Sequence, residues 1–449
     1  MSAAHAQIRK AVMTLALPVT VSSLLQRTEG IIAVFLVGGL GATSIAAVGL
    51  GQLLAFIGTT LASGLSVGSN VVVAQLWGAR RKHDASEAMI HVLGVGALVS
   101  LLLVTVGLTC NRYGMRLLGA DEPVIELAGP YSDIIFMVMP LTLLLHVLIA
   151  MLQGTGDTKT PMYAMIAVNL LHVVAAYPLI YGYGPIPALG LSGAGLAVGL
   201  AESAGMIILL VRVRPLLAWP VRMRLDLVSS LWQVGAPVSG ERVLQQAGIL
   251  LYTKLVLLYG TVSYAAHQVG LSIEAFSFLP GYGFAVAAAT MVGQSIGAGE
   301  YNRAKRENWE ANRMAALVMA AMGLIFFFFP YALLRAFTDD EAVITLGTTF
   351  LKIVALLQVP LALTMVLAGS LRGAGDTHFI MWATMAGMWG IRVPLAFVAA
   401  FWLKLDLWYV WSAMIVDWTV RMGLLLWRYR SERWQDIRVF TSSDATRDI

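Results

Sequence analysis

The sequence has little charge and almost no cysteine. Asp, Glu, Lys and Arg make up 12% of its 449 residues, about half the share found in an ordinary soluble domain. So few charges could not cover a chain that is 58% hydrophobic, so a soluble globule is excluded. The single cysteine, Cys110, excludes an internal disulfide framework and a cysteine-based zinc site. There is no G-x-x-x-x-G-K-[ST] phosphate loop, HExxH pair, catalytic-triad pattern or metal cluster. The reading is therefore not an enzyme: no catalytic residue, no metal and no cofactor beyond a coupling ion. The net charge of +5 is distributed among loops and does not point to nucleic acid. A first helix that follows a short polar start and runs well past about 15 residues does not read as a cleaved signal peptide.

What the sequence does have is long apolar runs. A bilayer span needs about 20 such residues, and breaks at Gly, Pro or charge predict helices at 12–37, 46–76, 88–109, 127–152, 161–181 and 191–211. Six more follow at 228–258, 263–294, 308–330, 343–371, 379–403 and 407–427. Nineteen Lys and Arg fall in the loops of one side; only Arg112, Arg116, Arg335 and Lys404 fall on the other. By the positive-inside rule both termini are cytoplasmic, in a multi-pass protein of the cytoplasmic (inner) membrane. An even span count agrees.

The chain repeats itself at an offset of 219 residues. Pro18 falls on Pro237, Gln26 on Gln245, Gly51 on Gly270 and Gln75 on Gln294. Gly154, Gly156, Asp157 and Thr158 fall on Gly373, Gly375, Asp376 and Thr377, a G-x-G-D-T that ends the fourth helix of each half. Apolar bias alone would not place that motif twice. The fold class is thus an all-α membrane protein of twelve transmembrane helices in two parallel six-helix bundles. The expected divisions are residues 1–211, a cytoplasmic linker 212–227, 228–430, and a tail 431–449. Parallel repeats of this kind suit alternating access, with substrate held near the midplane.

In each G-x-G-D-T, Gly permits a tight turn and Asp can cap the helix that follows. Charged stretches at 80–87 and 299–309 follow Gly78-Ala79 and Gly297-Ala298 and read as interfacial helices along the membrane surface.

Taken in order, LALP (15–18), GLSVGSNVVVAQLWGA (64–79), GTGDTKTPMY (154–163), VNLL (168–171), AAHQ (265–268), PGYGFAVAAATMVGQSIGAG (280–299) and LRGAGDT (371–377) carry a resemblance. The sequence resembles the multidrug and toxic compound extrusion (MATE) family of the multidrug/oligosaccharidyl-lipid/polysaccharide exporter superfamily along nearly its whole length. The resemblance implies a V-shaped antiporter that exports organic cations and other amphipathic compounds against inward proton or sodium flow. Two places depart from the family pattern. The first-helix aspartate is Ala33, and the fifth-helix aspartate, seven residues after Asn169, is Ala176; His172 stands where a second Asn is frequent. The coupling ion therefore does not carry over.

Ionisable groups within spans cost at least about 2.5–3.5 kcal/mol each on insertion scales and invite a function. Glu241 lies about 20 Å up the seventh helix and Glu274 about 17 Å down the eighth, at 1.5 Å per residue. Both can reach one cavity and exchange protons against a cation; pairing of these carboxylates with Arg242 or Lys254 is the competing reading. Glu29 sits one turn before Ala33 and can stand in for the absent aspartate, or pair with Arg27 or Arg392. His172 is a possible proton carrier. Asp417 and Arg421, four apart on the last helix, suit an ion pair. Glu202, His146 and His267 rank below these. The substrate and ion-coupling set is Glu274, Glu241, Glu29, Asn169, His172, Arg392 and Asp417.

The leading function is an ion-coupled antiporter whose partners are a small organic cation or amphipathic compound and membrane lipid, with no obligate protein partner. A flippase for a lipid-linked or amphipathic metabolite is the alternative. The mixed intramembrane charges do not suit a polyanionic headgroup. A membrane scaffold or receptor would not need two matched halves.

Overall fold

Hydrocarbon offers the backbone no hydrogen bonds, so a spanning segment must satisfy its own N–H and C=O groups as a helix. The computed structural model describes residues 2–218 and 224–440, and no strand forms among them. The middle of the expected linker, with Arg222, and the end of the expected tail, with Arg447, lie outside the described residues. The first half holds α1 (Ser2–Val37), α2 (Ala42–Gly78), α3 (Lys82–Leu117), α4 (Glu122–Thr155), α5 (Lys159–Tyr181) and α6 (Gly190–Val213). The second holds α7 (Leu225–Leu257), α8 (Thr261–Gly297), α9 (Tyr301–Phe328), α10 (Glu341–Gly373), α11 (Thr377–Trp402) and α12 (Leu407–Arg430). These are the twelve expected helices.

Ten are long and apolar enough to cross a membrane by length and composition. The other two, α7 and α12, are more polar and carry Glu241 with Arg242 and Asp417 with Arg421. Outer surfaces bear Leu101, Leu102, Phe328, Phe329 and Trp402 exposed, as lipid contact requires and water would not tolerate.

One expectation fails. The charged stretches 80–87 and 299–309 are not separate interfacial helices. The chain turns at Arg80 and Gly299, both with positive φ, and Lys82 and Tyr301 begin α3 and α9 directly. Their buried charges are paired: Glu307 accepts from Arg303 Nε and Ser295 Oγ at 2.8 and 2.7 Å, so the first turns of α9 need no membrane surface.

The described residues form two compact units. The N-terminal unit takes 21–77, 81–218 and 224–235; the C-terminal unit takes 2–20, 78–80 and 236–440. Each repeat motif does the same work in its own unit. A Cβ on Gly154 would lie 2.8 Å from the Asn70 carbonyl of α2, and one on Gly373 would overlap the Ala289 carbonyl of α8, so the first glycine of G-x-G-D-T lets two helices touch. Gly156 and Gly375, with φ of +93° and +88°, make the turn. Asp157 then accepts from Thr160 N at 3.0 Å and Arg212 Nε at 2.9 Å, and Asp376 from Arg428 Nε at 2.6 Å. The aspartates thus tie the turn to the end of α6 and of α12.

The segment after α12 is packed: Trp434 is 1% exposed, its indole N–H donates to the Tyr429 carbonyl at 2.9 Å, and Val439 covers Gly375. In the N-terminal unit, Ala218 N donates to Ser86 Oγ at 2.5 Å and Arg224 Nη1 to Asp84 Oδ1 at 2.7 Å, fastening the linker's two described ends to α3.

Candidate ion and substrate site

A charge buried in hydrocarbon persists only when paired or neutralised. In the C-terminal unit three carboxylates and three guanidiniums form an alternating series. Arg372 Nη2 donates to both oxygens of Glu241 at 2.8 and 2.7 Å, and Thr384 Oγ1 adds a bond at 3.2 Å. Glu241 therefore pairs with Arg372, not with Arg242 or Lys254. Arg372, counted by sequence among the free cytoplasmic charges, turns inward with its side chain 17% exposed.

Arg421, within electrostatic reach of Glu241, grips Asp417 as a fork, Nε to Oδ1 at 2.5 Å and Nη2 to Oδ2 at 3.0 Å. The expected i, i+4 pair is thus present. Arg392 Nε stands 2.7 Å from the same Asp417 Oδ2 but is misaligned for a hydrogen bond, and its Nη2 has no partner among the described residues. Its guanidinium lies 5.7 Å from the ring centres of Tyr252 and Trp418, close enough for cation–π attraction. Glu274, 3% exposed, ends the series: Arg392 is within electrostatic reach, yet no hydrogen bond or ion pair reaches its carboxylate among the described residues. His267 faces Tyr252 edge-on at 5.9 Å.

The N-terminal unit is built differently. Glu202 is 4% exposed and accepts from Thr142 Oγ1 at 2.6 Å, and Glu29 is its electrostatic neighbour. Glu29 Oε1 is enclosed without a partner, and no cation pairs with either carboxylate among the described residues. One turn along α4 from Thr142, His146 Nδ1 donates to the Thr142 carbonyl at 2.7 Å. On α5, Asn169 donates to the Met165 carbonyl at 2.9 Å and leaves its Oδ1 unused, while His172 is fully buried with neither ring nitrogen bonded. Ala33 and Ala176 are 3% and 1% exposed; both are packed core, with no polar role.

The structure thus joins Arg392, Asp417 and, at one remove, Glu274 and Glu241; it joins Glu29 to Glu202; and it leaves Asn169 and His172 as buried polar groups with unused atoms. Around these groups the structure also places Glu202, Arg372, Thr142 and Tyr252, of which the sequence ranked only Glu202, and low. Acid density in an apolar helix could have raised Glu202, since it is the only acidic residue of α6. A metal ion could be sought at His83, Asp84 and Glu87, whose ligand atoms lie within 4.8 Å of one another, but Arg81 and Arg224 already pair with Asp84 at 2.5 and 2.7 Å.

Membrane-length apolar helices in two compact units, each burying ionisable groups in its interior, define a multi-pass membrane protein. The chain belongs to the MatE family, whose model matches residues 18–178 and 237–398, once in each repeat. It is 29% identical to a Thermotoga maritima protein described as probable multidrug resistance protein NorM, over 97% of this chain and 95% of that one. It is 25% identical to the probable multidrug resistance protein YoeA of Bacillus subtilis, over 93% and 92%. Its fold is that of the Vibrio cholerae MATE transporter VcmN in the bent form (TM-score 0.90, 18% identity, 97% and 99% covered). It also matches a Pyrococcus furiosus MOP superfamily transporter whose reported pocket has reversed polarity (TM-score 0.87, 21% identity, 95% and 97% covered).

Proposed function

We propose that this protein exports organic cations and other amphipathic compounds from the cytoplasm across the inner membrane, by alternating access driven by inward proton flow. Both termini are then cytoplasmic, as the loop charges require. The Glu29–Glu202 pair carries the reading. Two neighbouring carboxylates, Glu202 buried and Glu29 half-buried, with no cation paired to either among the described residues, are disfavoured from both staying ionised in a low-dielectric interior; a proton or a transported cation would neutralise one of them. The same groups serve both, so occupancy by one displaces the other, which is antiport. Glu274 is a second such carboxylate. The names of the relatives support drug-like cargo.

The test is transport of a fluorescent organic cation in proteoliposomes under an imposed proton gradient and then a sodium gradient. Uphill movement under the proton gradient alone is expected. Movement under sodium alone would make sodium the coupling ion, and no uphill movement under either would favour a flippase or a narrow metabolite carrier.

A further inference from the structure

The alternating series in the C-terminal unit is unevenly loaded. Asp417 carries two guanidiniums, and Arg421 alone satisfies it with two aligned hydrogen bonds. Arg392 adds a close but misaligned contact and keeps Nη2 unpartnered, although the residue is only 6% exposed. Within electrostatic reach of Arg392 is Glu274, 3% exposed and without an ion pair among the described residues. A buried arginine half-bonded to a carboxylate that does not need it, beside one that has no cation, is held between two partners.

The helix that carries Arg392 is built to move. In α11 a π-helical turn, Met388–Arg392, precedes a short α-helical piece, Val393–Phe397, and a second π-helical turn, Val398–Trp402, follows. Pro394 lacks the N–H that an α ladder would use there. Each π turn holds one residue more than an α turn, and its conversion to α shifts the register by one residue, about 100° of rotation. Arg392 is the last residue of the first such turn.

We propose that Arg392 is the moving arm of coupling in the C-terminal unit: it leaves Asp417 for Glu274 when Glu274 gives up its proton, and returns when Glu274 is protonated. The inference rests on the reading that Glu274 exchanges protons. Over Glu274, Asp417, Arg392 and Arg421 the net charge is +1 while Glu274 is protonated and zero once its proton has left. With Glu274 protonated, Arg392 and Arg421 share Asp417. When the proton leaves to water on the cytoplasmic side, Glu274 becomes an anion, Arg392 neutralises it, and Asp417 keeps Arg421. A proton arriving from outside reverses the exchange. Tyr252 and Trp418 flank Arg392, so the guanidinium stays over an aromatic face during the swing.

Few other groups compete for Glu274. Tyr252 of α7 faces it with its hydroxyl donated to the Val410 carbonyl at 2.9 Å, and His267 lies two turns earlier on α8 itself. Asp417 and Arg421 of α12 stand behind Arg392. On α9, Glu307 and Glu310 bind Arg303 and Arg9; on α10, Lys352 is exposed and Arg372 is held by Glu241.

The test uses the full chain in lipid and an infrared titration of the protonated-carboxyl stretch, with the Glu274 band assigned by its loss in Glu274→Gln. No substrate is required, so failure of this inference and failure of drug export are read separately. A neighbouring guanidinium favours the ionised carboxylate, so Arg392→Gln should move the midpoint of that band alkaline by about one pH unit or more. Asp417→Asn, which frees Arg392 for Glu274, should move it acidic. Arg392→Lys, which keeps the charge, should stay near wild type. If Asp417→Asn does not fold, Asp417→Asn with Arg421→Gln removes one charge of each sign and should show the same acidic shift. Unchanged midpoints, shifts of one sign in both variants, or a Glu274 band that never titrates in wild type would each overturn the proposal.

Discussion

At the scale of the residue, the buried acids divide by what neutralises them. Glu241 and Asp417 have guanidiniums; Glu29, Glu202 and Glu274 have none among the described residues. The second group should carry coupling. Glu29→Gln and Glu202→Gln are each expected to lower proton-driven export about tenfold or more, the loss of one essential proton carrier, with the melting temperature of the purified protein nearly unchanged. Wild-type export in either variant would remove that carboxylate from the mechanism. Arg372→Met should do the opposite: Glu241 is left buried without its cation, a loss of about 3–5 kcal/mol visible as a lower yield of folded protein, which Glu241→Gln in the same chain restores.

Outside the membrane, burial works to raise the Asp157 carboxyl, but Thr160 N–H, the Thr160 hydroxyl and Arg212 together hold it below the usual carboxylate range. A depressed carboxylate stabilises the fold above its unfolded value and loses that contribution as pH falls through the folded value. Wild type should therefore melt higher than Asp157→Asn at neutral pH, with the gap closing as pH falls below the ordinary aspartate range; a gap that persisted once the carboxyl is protonated would contradict an ionic tie. The existence of the intramembrane acids was plain in the sequence, because Glu29, Glu202, Glu274 and Asp417 are each the sole acid of their helix and Glu241 lies mid-span in α7. Their partners were not. Glu241 suggested Arg242 or Lys254, its chain neighbours, whereas the cation is 131 residues away and sits in a motif that reads as a loop.

At the scale of the element, G-x-G-D-T resolves into three separate tasks: helix contact, left-handed turn and ionic tie. The turn and cap were legible, since Gly and Asp have local reasons to be there. The helix contact at Gly154 and Gly373 was not, because nothing local distinguishes a glycine that touches another backbone. Gly373→Val is expected to cost about 1–3 kcal/mol by forcing α10 away from α8, measured as a fall in thermal midpoint. An unchanged midpoint would mean that the two helices separate without strain. The π turns of α11 were equally hidden. Pro394 announces a disturbance but not its form, and the run 379–403 reads as an ordinary span. The charged starts of α3 and α9 misled in the other direction: their pattern suits a surface helix, but pairing of Glu307 with Arg303 lets them continue into the span.

At the scale of the whole molecule, a single offset of 219 residues accounts for the twelve helices, the two units and the duplicated turn. Backbone-level features repeat because each half must solve the same packing problem in the same bilayer. The units part within α1 and α7, two residues from Pro18 and from Pro237 respectively, positions that the repeat also equates. Apart from the aspartate of G-x-G-D-T, the buried acids do not repeat. The C-terminal unit pairs Glu241 and Asp417 with arginines but not Glu274, and the N-terminal unit leaves Glu29 and Glu202 as neighbours without a cation among the described residues, a difference that appears only when tertiary neighbours are known. On the two proposals above labour is divided: the N-terminal pair offers a place for a proton or a cation, and the C-terminal series a charge that changes partners.

The direct test of coupling through these carboxylates is proton release on substrate binding. Purified protein in weak buffer would be mixed with a lipophilic organic cation while the pH is followed. Release by wild type, lost in Glu29→Gln with Glu274→Gln, is the predicted result. Binding of the cation with no proton released, or release that survives in the double variant, would contradict it.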